Sequence, residues 1–110
     1  MTETLKVLAQ ANPTASTITA LYTCGSALGA AATSITVCNQ SSNVTAYFNI
    51  SVAPGGAVDA PKQYIYYQLI LDPYDTFIAT IGFTLSNTDV VRVFASTANL
   101  SFSLFGCEVS

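Results

Sequence analysis

The strongest constraint on this chain is an alternation of period two. Val44, Ala46, Phe48, Ile50 and Val52 are apolar, while Thr45, Tyr47, Asn49 and Ser51 lie between them. Successive strand side chains point to opposite faces, so this stretch reads as a long, half-buried strand. Leu100, Phe102 and Leu104 alternate with Ser101 and Ser103, and Ile35 and Val37 flank Thr36. Ile18, Ala20 and Tyr22 alternate with Thr17, Thr19 and Thr23, interrupted by Leu21. Phe77, Ala79 and Ile81 alternate less cleanly, because Ile78 faces the other way. Tyr64–Leu71 and Val90–Ala95 are apolar on both faces and read as strands covered on both sides.

Turn-forming residues separate these runs: Cys24-Gly25-Ser26, Asn39 to Asn43, Pro54-Gly55-Gly56, Asp72 to Asp75, Ser86 to Asp89, and Thr97-Ala98-Asn99. Leu28–Ala32 has room for a short helical turn, bracketed too tightly by Gly25, Gly29 and Ser34 for a real helix. Eight strands are expected, near residues 4–9, 16–23, 34–39, 44–53, 63–71, 76–84, 90–96 and 99–108. The fold class is all-β: one antiparallel β-sandwich, either jelly-roll or immunoglobulin-like. Residues 1–15 read as an N-terminal arm or first edge strand, and 16–110 as the sandwich domain. An arm can add a strand to a neighbour's sheet. The Gly- and Pro-rich segment 53–61 reads as a long exposed loop.

Charge narrows the function classes. Only 8% of the 110 residues are charged, and none of the 52 residues from 7 to 58 is. A solitary protein usually intersperses charges over its surface for solubility, so this pattern suits a chain covered by partners. Three cations and a net charge of −3 exclude a phosphate-backbone binder. No segment has about 20 consecutive apolar residues, so no membrane span is expected. The opening Met1–Gln10 lacks the basic start and apolar run of a signal peptide.

Nothing in the sequence favours catalysis. There is no histidine, hence no imidazole base, and no serine or threonine has an evident activating neighbour. Cys24, Cys38 and Cys107 lack metal-ligand spacing and read as small buried hydrophobes, with a Cys24–Cys38 bridge the alternative. Asp72-Pro73-Tyr74-Asp75 reads as a type I turn rather than a calcium site. Arg92, inside an apolar strand, is expected to snorkel or to pair with an acidic side chain. No metal or cofactor is expected.

Tyr64, Tyr66, Tyr67 and Tyr74 crowd one hairpin. Simple alternation puts Tyr64 and Tyr66 opposite Tyr67, so one sandwich core does not absorb them all. Tyrosines are enriched at interfaces and also stack on sugars. These four, with Leu5 and Val7 of the N-terminal segment, are the candidate interface residues.

Asp75–Leu85 and Thr88–Phe102 resemble small virion structural proteins of tailed bacteriophages, as do Thr4–Gln10 and Tyr64–Tyr67. The resemblance touches nearly the whole chain and rests on pattern rather than on a functional motif. It implies a non-enzymatic virion protein, most readily a capsid decoration (cement) protein on the outer surface of the head. It also implies two partners, the major capsid protein and further copies of this chain as a dimer or trimer, with assembly in the bacterial cytoplasm. A tail, neck or fibre component, or a carbohydrate-binding adhesin module, are the alternatives.

Overall fold

The computed structural model describes residues 2–110. The nine strands are β1 (Glu3–Ala11), β2 (Thr19–Thr23), β3 (Ala30–Asn39), β4 (Ala46–Ala53), β5 (Tyr64–Leu71), β6 (Thr76–Ala79), β7 (Phe83–Leu85), β8 (Val90–Ala95) and β9 (Leu100–Val109). Among the described residues the only helical turns are two short 3-10 turns, at Pro54–Gly56 and Pro61–Gln63. No helix among the described residues is long and apolar enough to cross a membrane.

All pairings are antiparallel and form two sheets. One runs β1-β9-β3-β6, with β7 also on β3, and the other β2-β8-β4-β5. β6 meets β3 at Ile35–Cys38 and β7 meets it at Ala30–Ala32, so the two are halves of one interrupted strand. Counted that way, eight strands follow the interleaved order of a jelly roll. The choice left open between jelly-roll and immunoglobulin-like is thereby decided.

The core lies between the sheets. Phe48, Ile50, Val91 and Val93 of the second sheet face Ile35, Val37, Leu100, Phe102 and Leu104 of the first, all essentially without solvent contact. Phe48 packs against Phe77 and Phe102 at ring separations of 5.3 and 6.2 Å, within the range of favourable aromatic pairs. The alternation read in the sequence corresponds to these inward positions.

Three local readings are corrected, and one choice is settled. Ala30, Ala31 and Ala32 are strand, not a helical turn. The β3 backbone here passes so close to β9 that position 106 has no room for a Cβ, and it is glycine. Of the two readings of the N-terminal segment, arm or first edge strand, residues 3–11 take the second, paired with β9. Tyr74 has a φ of 61° at the third position of its turn, which Asp75 N–H closes onto the Asp72 carbonyl at 3.1 Å. That positive φ marks type II rather than type I. Arg92 has no carboxylate partner; its guanidinium donates to the carbonyls of Ala57 (2.7 Å) and Gly56 (3.2 Å).

All three cysteines are free thiols. Cys24 is buried, whereas Cys38 and Cys107 are half-exposed.

One polar bridge closes the mouth of the sandwich. Tyr22 of β2 donates to Glu108 of β9 at 2.6 Å, and Lys6 of β1 donates to its other carboxylate oxygen at 3.1 Å. The Tyr22 hydrogen bond first, then Lys6, holds the Glu108 carboxyl below its ordinary range. Burial, then Glu108, pushes the Tyr22 phenol well up. A carboxylate depressed in the folded state stabilises above its unfolded pKa and loses that contribution as pH falls. The melting midpoint is therefore expected to drop by a few degrees between about pH 5 and pH 3. Circular dichroism melts of Glu108→Gln should lack this step; an unchanged acid limb would contradict the bridge's role.

Candidate interaction surfaces

The register assigns each side chain to a face. On the outer face of the first sheet, one row runs Leu5, Cys107, Ala31, Thr84 and the next holds Val7, Phe105 and Ser34. Further along come Gln10, Ser103, Thr36 and Ile78, then Ser101, Cys38 and Thr76. From the Leu5 row to the Cys38 row this face carries no charged residue. Its apolar end is open to solvent: Leu5 is 82% exposed and Val7 48%.

Charges are segregated along the long axis of a 47 × 28 × 20 Å body. Glu3, Lys6, Asp59, Lys62, Asp89, Arg92 and Glu108 all lie towards the end where β3 begins and β9 finishes. The opposite end, built from loops 12–18, 40–45, 72–75 and 96–99, has only Asp72 and Asp75. Seryl, threonyl and asparaginyl side chains make up most of that polar tip. Backbone bonds tie it together: Tyr74 N–H donates to Ser41, Gln40 N–H to Asn99, and Ser96 N–H to Tyr47.

The tyrosines do not form one cluster. Strand β5 carries two bulges against β4: Tyr64 and Tyr66 face the consecutive residues Ser51 and Ile50, while Tyr66 and Leu69 flank a further inserted residue. Gln68, in the second bulge, has a φ of 53°. Bulges re-aim side chains. Here they send Tyr66 inward, edge-on to Phe77 at 5.1 Å. Tyr64 and Tyr67 come together on the outer face, edge-to-face at 5.1 Å. The expectation that Tyr64 and Tyr66 share a face is corrected: Tyr66 is partly buried and packs against the core. Tyr74, 74% exposed, stands alone at the far tip.

Tyr64 and Tyr67 line a groove of about 520 Å³ with Asp59 and Pro61. Tyr64 donates to Asp59 Oδ2 at 2.9 Å; burial, then this bond, pushes its phenol pKa up. Ile70, Tyr47 and Phe94 form a separate apolar row on the same sheet face, the two rings stacked at 6.0 Å. The charged groups of the 54–63 loop escaped the sequence reading as a site, because their convergence depends on the bulges.

No group of three or more potential metal ligands occurs among the described residues. No family model matches the chain, and no characterised protein matches it in sequence.

Proposed function

We propose that this chain is a non-enzymatic structural protein of a tailed-phage virion, specifically a decoration protein bound to the outside of the capsid lattice. The observation that carries this reading is the uncharged outer face of the β1-β9-β3-β6 sheet, with Leu5 and Val7 exposed at its apolar end. Covering such a face removes apolar surface from water while leaving no charge to desolvate. In this reading that face lies on the major capsid protein. The resemblance of Asp75–Leu85 and Thr88–Phe102 to virion proteins supports it from the sequence side. A jelly roll is a compact two-sheet module suited to repetition over a symmetric shell.

Composition of purified particles tests the proposal. The chain is expected on the order of hundreds of copies per particle, in fixed ratio to the major capsid protein, measured by quantitative mass spectrometry. A dozen or fewer copies would move it to the neck or tail. Absence from particles would overturn the virion assignment.

A further inference from the structure

We propose that the groove between Asp59, Pro61, Tyr64 and Tyr67 binds a neutral sugar ring of a surface glycan. This goes beyond the capsid role and does not depend on it. The groove lies on the outer face of the β2-β8-β4-β5 sheet, the opposite side of the sandwich from Leu5 and Val7. It stays open when the first face is covered.

Its chemistry is that of sugar recognition. Tyr67 is 61% exposed, and its ring meets Tyr64 edge-to-face. An exposed aromatic face takes the C–H face of a pyranose. Asp59 keeps Oδ1 free, since only Oδ2 receives the Tyr64 hydroxyl. A carboxylate oxygen beside an aromatic platform accepts from sugar hydroxyls, and such charged acceptors make the stronger hydrogen bonds. The Asp59 carboxylate disfavours uronic and sialic acids, and the neighbouring Arg92 guanidinium is engaged by the Ala57 and Gly56 carbonyls, so a neutral ring suits the groove best. A volume of about 520 Å³ falls in the range of small-molecule sites.

The site is also pre-organised by groups with no other evident task. Gln63, buried, donates to the Val58 carbonyl at 2.9 Å and accepts from Ala60 N–H at 3.3 Å. Arg92 holds the loop from below through Ala57 and Gly56. The bulge between Tyr64 and Tyr66 is what brings Tyr64 and Tyr67 to one face, since plain alternation would set them on opposite sides. A loop fixed in advance loses less entropy on binding.

The test uses the full-length chain and a panel of neutral gluco-, galacto- and manno-oligosaccharides, with matched uronic-acid oligosaccharides as the anionic arm. Binding is followed by NMR shifts and calorimetry. At least one neutral sugar should bind and shift the Tyr64 and Tyr67 resonances, while the anionic arm should not. Tyr67→Ala, whose exposed ring is dispensable for folding, should weaken binding about tenfold or more. Asp59→Asn should weaken it less, and Tyr74→Ala at the far tip should leave it unchanged. No shift across the neutral panel, or equal binding by Tyr67→Ala, would overturn the assignment. So would shifts of the same resonances that follow protein concentration without sugar, which would seat a second copy in the groove. None of these outcomes bears on particle composition.

Discussion

Gly106→Ala is expected to destabilise the chain by about 3 kcal/mol or more and to lower its melting midpoint by on the order of 10 °C. A Cβ at Gly106 would overlap the Ala31 carbonyl oxygen and approach Ala32 Cα to 2.9 Å. Both obstacles are backbone in the middle of a sheet, so no side chain is free to turn aside. Gly106 pairs with Lys6 on one side and Ala32 on the other. Relief would have to open one of these ladders, between β9 and the edge strand or between β9 and β3. Gly25→Ala is the control, because nothing lies within 4 Å of a Cβ there; its cost should stay within about 1 kcal/mol. Chemical denaturation of the two variants measures the contrast. Equal stabilities would contradict the close approach of β3 and β9.

Asn39→Ala is expected to cost about 3 kcal/mol, because one amide serves three backbone groups. Asn39 is fully buried at the end of β3. Its Nδ2 donates to the carbonyls of Val44 at 2.9 Å and Leu71 at 3.1 Å, and its Oδ1 accepts from Ser41 N–H at 3.0 Å. The side chain thus joins the first sheet to β5 of the second and fixes the connection into β4. Alanine leaves the Leu71 carbonyl and the Ser41 N–H unpaired in buried positions, and the part-buried Val44 carbonyl without its donor. Asn39→Asp keeps the shape but turns an acceptor towards two carbonyl oxygens, so at neutral pH it should cost at least as much as alanine. Denaturation midpoints of both variants check this. An aspartate variant as stable as the parent would contradict the assigned geometry.

These two residues mark where the sequence was readable and where it was not. The strands carrying Phe48, Phe102 and Val37 were legible because one covered face imposes a strict alternation. Asn39 sat among Gln40, Ser41 and Ser42 and looked like ordinary turn polarity; its burial arises only when β5 returns beside it. In Tyr64–Leu71 both faces are apolar, so an inserted residue leaves no break in the pattern. The bulges that separate Tyr66 from Tyr64 were therefore invisible, and with them the groove. Leu5 and Val7 read from the sequence as contact residues of an N-terminal arm or first edge strand. They lie exposed on that edge strand, as part of a sheet face whose neighbours, Phe105, Cys107 and Ala31, come from distant positions in the chain.

The central claim is that the uncharged face of the first sheet is covered in a virion shell. An averaged electron image of the intact particle tests it most directly. A jelly-roll body of 47 × 28 × 20 Å is expected to repeat over the outer surface of the head, with Leu5 and Val7 turned towards the major capsid protein. A head surface without this body, or the body present with that face turned to solvent, would contradict it.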